Sequence, residues 1–396
     1  MFDPTMQQQS LTAEFERLQL TRMTCDRIRS ANYHLTDHLA EALGTHPELS
    51  EVLHIDRAHI DNMRKAVATQ RELMGTPFLV VVPTLMDVHD WKCLAESTTT
   101  TVAVDKLRDK LPAWSNDDKL RLFYNNRHYI WLMVELLHVS ILAAPLLGIS
   151  KELAVYLRSL PQHVLDLAIS KVDFPMFRWR LESKRFWLDF ETARVSPDVI
   201  GHHFLATVPM RVDRIDAKQS WSNLRLDPFK KKVYSEMMIR QSCRASTVTS
   251  LLGVNSPKTR QLFQAIHGTP SSTGQLPTST AWYFEQPLHR MQATMLVTLY
   301  RIGLAFGANV PEAFTAAYDL FDKFFGRDSR ITADRACHIC RSMSTDAQLD
   351  LAPCRSCRTP YLIANTAPKI ELSNNFSCPG CSGALGNLQL GRRRKA

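Results

Sequence analysis

Apolar positions recur at intervals of three and four along most of the chain. Leu11, Phe15, Leu18, Cys25 and Ile28 share one helical face, so residues 1–75 read as mostly helical. Phe78–Val82 is a short apolar run ended by Pro83, as a strand would be, and the polar tract Thr98–Thr101 reads as a linker. A long helix is predicted over 126–147, closed by Gly148 in a left-handed cap. Ser150 then caps a second helix, and Leu160-Pro161 ends it and starts a third, to about Lys171. Phe177–Leu181 alternates apolar and basic residues, the pattern of a half-exposed strand.

Residues 193–232 contain Pro197, Pro209 and Pro228 and read as a connector. Beyond it the pattern predicts helices over Val233–Arg244 and Ser246–Leu252, a turn at Gly253, and a helix from Ser256 to Ile266 capped by Asn255 or Ser256. Two strongly apolar faces follow, one on Leu288, Met291, Met295, Leu299 and Ile302, the next on Phe314, Ala317, Tyr318, Phe321 and Phe325. No internal repeat is evident. The fold expected is mainly α, with multi-helix domains and a small C-terminal zinc lobe on four cysteines. Its segments are a helical region of unassigned role (1–110), a helical oligomerisation domain (115–192), the connector, a helical DNA-binding domain (233–335), and the zinc lobe with a basic tail (336–396).

Charge separates the two halves. The 396-residue chain carries 48 basic and 39 acidic side chains. From Arg225 onward there are 22 basic and 11 acidic residues, a net of +11, against −2 for residues 1–224. The C-terminal half is therefore where a polyanion site belongs, although a basic solvated surface has the same composition. Met1–Ser10 has no signal-peptide pattern, and Ile130–Leu147 is interrupted by Glu135, His138 and Pro145. A soluble, cytoplasmic protein without a membrane span is expected.

Six of the nine cysteines form C-x-x-C pairs. Cys354–Cys357 and Cys378–Cys381, separated by 20 residues, have the spacing of two zinc knuckles. Each tight turn aims two sulfurs at one ion about 2.3 Å away. One structural Zn2+ on these four residues is expected, supplying much of the folding energy of a lobe with little core. Cys337 and Cys340 sit in a helical pattern and read as packing, with His338 an available ligand between them. His34 and His38 share a helix face and read as a surface coincidence.

Ser246–Leu252, the Gly253 turn and Ser256–Ile266 resemble a helix-turn-helix, although any two short helices around a glycine share that pattern. The second helix displays Lys258, Arg260, Gln261 and Gln264, side chains able to read base edges. Arg244 just before the first helix, and Arg392, Arg393, Arg394 and Lys395 in the tail, are further DNA-contact candidates, suited to phosphates.

Segment 234–396 resembles FlhC, one subunit of the flagellar master activator. The likeness rests on TVTSLLGVNSPKTRQLFQAIHG (247–268), GTPSSTGQLPTSTAWYF (268–284), the two apolar helices after it, and PCRSC with NNFSCPGC. Segment 127–182 resembles the partner subunit FlhD, through its long helix, LLGISKELAVYLRSLPQHVLDLA (146–168) and FRWRL. The resemblance implies an activator that binds promoter DNA and recruits RNA polymerase, with zinc on the four paired cysteines. The family uses separate chains, so a chain holding both halves implies a homo-oligomer, or assembly with separate FlhD- or FlhC-like chains. The apolar face of 129–147 would supply that interface. Target genes would be flagellar, or transfer genes of a conjugative element.

Two other functions compete with this one. A thiol oxidoreductase would need an exposed, low-pKa thiolate in a βαβ setting, which the cysteine regions lack, and no P-loop, H-E-x-x-H or G-x-S-x-G motif occurs. The protein is therefore expected not to be an enzyme. A zinc-stabilised protein adaptor fits the cysteines but not the uneven charge.

Overall fold

The computed structural model describes residues 18–96, 100–192, 195–212, 221, 224–345, 349–366, 369–370 and 376–385. Contacts divide the chain into two units, 21–210 and 211–396, the second including residues 1–20. That partition is coarser than the five sequence segments.

The first unit contains α1 (Arg22–Thr45), α2 (Arg57–Lys65), α3 (Val67–Met74), β1 (Val81–Pro83), α4 (Val88–Glu96), α5 (Val102–Arg108), α6 (Asn116–Val139), α7 (Lys151–Ser159), α8 (Gln162–Ser170), β2 (Phe177–Trp179), α9 (Lys184–Glu191) and α10 (Pro197–Ala206). β1 and β2 pair antiparallel, Val82 opposite Arg178, which joins the part of segment 1–110 from Thr21 onward to segment 115–192 in one body. Two buried asparagines hold this ribbon. Asn32 of α1 donates to Phe78 O at 3.0 Å and accepts from Val80 N–H at 3.0 Å. Asn126 of α6 does the same to Phe174 O at 2.9 Å and from Met176 N–H at 2.8 Å.

That equivalence is general, and it corrects the reading that the chain has no internal repeat. α1 and α6 each have 24 residues and start 94 positions apart, on the caps Thr21 and Ser115. At the same offset stand Asn32 and Asn126, the left-handed residues His54 (φ 55°) and Gly148 (φ 69°), and the caps Asp56 and Ser150 of the nine-residue helices α2 and α7. A two-residue insertion then sets the offset to 96 for β1 and β2 and for Trp91 and Trp187. Thr84 N–H donates to Met176 O, and its counterpart Arg180 N–H donates to Val80 O. Each half gives what it receives, the signature of an isologous pair. His34 and His128 meet edge-on at 5.1 Å, so His34 packs against its own counterpart. Replacing either Asn32 or Asn126 by alanine is expected to cost about 1–3 kcal/mol, because each leaves buried backbone groups unpaired. Asn32 also donates to Met74 O at 3.2 Å, so its loss should be the larger of the two. Urea denaturation of the two variants checks this.

Three local readings change. Thr101, placed in a linker, is buried and caps α5 by accepting Val104 N–H. Arg180, expected on the open side of a half-exposed strand, is 3% exposed because backbone carbonyls of both halves converge on its guanidinium. The apolar face of 129–147, expected to be an oligomer interface, is spent inside the unit: Tyr129, Ile130, Met133, Leu136 and Leu137 are all buried.

The second unit contains α11 (Pro228–Arg240), α12 (Ala245–Leu252), α13 (Ser256–His267), α14 (Pro287–Ala305), α15 (Val310–Phe325), α16 (Ala333–Thr345), β3 (Leu349–Pro353), β4 (Pro360–Thr366) and β5 (Lys369–Ile370). α14 is buried on almost every side and forms the core with α15. A Cβ on Gly303 would lie 3.0 Å from Ala313 Cβ, so these two helices cross closely because position 303 has no side chain. The β3–β4 hairpin is anchored on α14: Arg290 Nε donates to Leu362 O at 2.7 Å, and Leu362 N–H donates to Thr294 Oγ1 at 3.2 Å. Among the described residues no helix is long and apolar enough to cross a membrane.

Candidate metal centre and nucleic-acid interface

The β3–β4 turn carries the first cysteine pair. Pro353 pairs with Pro360, so Cys354–Thr359 forms the bend, closed by Cys354 N–H to Thr359 O at 2.9 Å and Arg358 N–H to Cys354 O at 2.9 Å. Arg355 N–H reaches Phe376 O at 2.9 Å and brings in the second strand of chain. There Cys378–Cys381 forms another tight turn, with Ser382 N–H to Cys378 O at 3.0 Å and Gly383 in the left-handed region.

The two turns face each other. The sulfurs of Cys357, Cys378 and Cys381 all lie within 4.8 Å of one another. Cys354, fully buried, lies against them: its Sγ accepts Cys378 N–H at 3.3 Å, as Cys378 Sγ accepts Cys381 N–H at 3.3 Å. Such N–H donors stabilise thiolates. Cys357 Sγ and Cys378 Sγ are 3.7 Å apart. A disulfide needs about 2.05 Å, whereas sulfurs about 2.3 Å from a tetrahedral ion stand about 3.8 Å apart. Hydrogen bonds from Cys378 and Cys381 hold the Cys357 thiol far below its ordinary range. Cys381 is pushed up to about 12, first by its hydrogen bond to Cys357. Four soft ligands on two facing turns fit a zinc site at Cys354, Cys357, Cys378 and Cys381.

The third pair behaves as packing. Cys337 and Cys340 are buried on α16, and Cys243 Sγ lies 3.8 Å from Cys337 Sγ. Burial pushes both thiols up, the reverse of what thiol exchange needs. His338 stacks on Tyr283 with rings 5.9 Å apart.

The helix-turn-helix elements also take form. Gly253, at φ 60°, turns the chain between α12 and α13. Asn255 caps α13 by accepting Lys258 N–H at 3.0 Å, and His267 donates from Nε2 to Ile239 O at 2.6 Å, fixing its far end on α11. Of the twelve residues of α13 only Thr259 is buried. Lys258, Arg260, Gln261 and Gln264 are all exposed. Arg244 is placed differently. Its Nε pairs with Asp334 at 2.9 Å, its backbone N–H donates to the same carboxylate at 3.1 Å, and Thr247 Oγ1 donates to it at 2.6 Å. Arg244 therefore pins the start of α12 to α16. Asp334, 90 positions away, went unnoticed in the sequence because nothing local marks it. The tail candidates Arg392, Arg393, Arg394 and Lys395 lie outside the described residues.

Residues 230–386 match the family model FlhC, the flagellar transcriptional activator. The match lies wholly within the second unit and contains both the helix-turn-helix elements and the four cysteines. It does not reach 127–182, so the FlhD-like resemblance finds no support there. No curated protein matches the chain.

Proposed function

We propose, from the premise that residues 230–386 are an FlhC-type activator segment, that this chain binds promoter DNA and recruits RNA polymerase. Its targets would be flagellar genes or the transfer genes of a conjugative element, and it would work in the cytoplasm, without enzymatic activity, as an oligomer or with FlhD- or FlhC-like partner chains. One observation carries the reading: α13 is anchored at both ends yet leaves eleven of its twelve residues less than fully buried. A helix serving only the core would bury an apolar stripe. This one turns Lys258, Arg260, Gln261 and Gln264 outward, where a major groove would meet them. Arg244, Arg392, Arg393, Arg394 and Lys395 would add phosphate contacts, Arg244 through the part of its side chain left exposed beside Asp334.

Zn2+ is the ion proposed for Cys354, Cys357, Cys378 and Cys381. When bound it supplies a cross-link, not chemistry on a substrate. The chain's own contribution is to hold the β3–β4 hairpin on α14 through Arg290 and Thr294, within the unit that carries α13.

Arg260→Ala is expected to weaken binding to a cognate duplex by about 1–3 kcal/mol and to relax base preference at one position. Fluorescence anisotropy with duplexes varied at single positions reads this. Unchanged affinity and unchanged base preference would remove α13 from the interface.

A further inference from the structure

The two repeats of the first unit serve as controls for each other. In the second, Arg180 is enclosed: Nη1 donates to Leu146 O at 3.0 Å and Leu79 O at 3.2 Å, and Nη2 to Pro145 O at 3.1 Å. The Phe204 ring lies 4.9 Å from the guanidinium carbon. Leu146 O also accepts Leu79 N–H at 3.0 Å. Phe186 is buried among Trp187, Phe190 and His203.

The first repeat has a different residue at each of these places. At the offset of 96 that aligns the strands, Thr84 stands for Arg180 and Asp90 for Phe186. At the offset of 94, Glu51 and Val52 stand for Pro145 and Leu146. The caps Thr101 and Ser196 align at 95, which puts Asp109 in the place of Phe204. Thr84, Asp90, Glu51, Val52 and Asp109 all line one open cavity of about 600 Å³.

Its chemistry is that of a cation receptor. Neither donor that serves Leu146 O has a counterpart at Val52 O, because Pro175 replaces Leu79 and has no N–H, and Thr84 has no guanidinium. The Thr84 hydroxyl donates to Pro175 O at 2.6 Å, as Arg180 donates to Leu79 O. Asp90 is only 9% exposed, and its carboxylate has no hydrogen-bond or ion-pair partner among the described residues. With its oxygens open to the cavity, an unpartnered carboxylate on this wall favours a positive group opposite it. Asp87 and Asp109 add negative charge to the wall. Lys106, Arg178 and Lys110, the last paired with Glu51 at 2.8 Å, limit how much positive charge can enter. No cluster of three metal-ligating side chains forms in this cavity among the described residues.

We propose that this cavity binds a small organic cation with one guanidinium or primary ammonium head, which takes in the first repeat the place that Arg180 takes in the second. The site is independent of the DNA-binding reading. Thermal unfolding of the full-length protein tests it with methylguanidine and L-arginine as probes, against sodium chloride at equal ionic strength. At saturating probe, at least one should raise the Tm by about 2 °C or more. Asp90→Asn should abolish that rise. Thr84→Arg, which copies the second repeat, should raise the Tm without ligand and remove the response. No rise with either probe would overturn the proposal, as would an undiminished rise in Asp90→Asn. The second criterion stands even if Thr84→Arg fails to fold.

Discussion

Replacing Cys378 by serine, or stripping the metal with a chelator, is expected to unfold the lobe over residues 349–385 and to abolish DNA binding. This lobe is a hairpin and a turn whose buried side chains are few: Leu349, Leu351, Tyr361, Leu362, Phe376 and Leu385 are among them. Structural zinc supplies about 10–16 kcal/mol of apparent binding energy in small domains, far more than such a core can provide. Serine keeps the shape of cysteine but not the soft thiolate. Cys378 also joins the two turns, since its N–H donates to Cys354 Sγ and its own Sγ accepts from Cys381. Metal affinity should fall by more than the roughly 10–100-fold that follows loss of a mere supporting hydrogen bond. Native mass spectrometry should count one ion in the parent protein and none in the variant, and limited proteolysis should cut the variant within 349–385. Full metal retention in Cys378→Ser would contradict the four-cysteine site.

Asp334→Ala should be the most damaging single change outside the lobe. The Asp334 side chain is 8% exposed and receives three donors, from Arg244 Nε, Arg244 N–H and Thr247 Oγ1. Removing it leaves a partly buried guanidinium facing no counter-charge and the first turn of α12 without its acceptor. Breaking one side of a buried pair typically costs about 3–5 kcal/mol. Because Arg244 keeps 27% side-chain exposure, the lower end of that range is expected, about 3 kcal/mol. Asp334→Asn should recover part of the loss, since the amide oxygen still accepts. DNA affinity should fall with stability in both variants. A loss below about 1 kcal/mol on urea denaturation would show the clamp to be incidental.

Features set by local chemistry were legible in the sequence. Gly148 and Gly253 take the left-handed cap, although the helix predicted over 126–147 stops at Val139 and Gly148 closes a separate short one, Ala143–Leu147. Ser150 caps its helix as expected, Asn255 is the cap of the two candidates at α13, and the four paired cysteines converge. Features set by distant partners were not. Arg180 reads as an exposed basic residue until carbonyls from residues 79, 145 and 146 are brought to it. Burial of 129–147 looks the same in sequence whether its partner is another chain or the same one, and here it is the same one. The duplication was hidden because its fixed points are few: Asn32 and Asn126, His34 and His128, Trp91 and Trp187. Two inserted residues also shift the period midway. Asp334 was missed for a related reason, since nothing near it in sequence distinguishes a clamp from a solvated aspartate.

The most direct measurement is the affinity of the full-length, metal-loaded protein for a labelled promoter duplex as salt is raised from about 50 to 200 mM. Neutralised phosphates release counterions, so log K should fall linearly with log salt, by about 0.9 for each phosphate contacted. Binding that strengthens at low salt with a slope of several contacts, and is lost when zinc is chelated, is the predicted result. A protein that holds its zinc yet ignores the duplex at about 50 mM salt, where electrostatic binding is strongest, would contradict it.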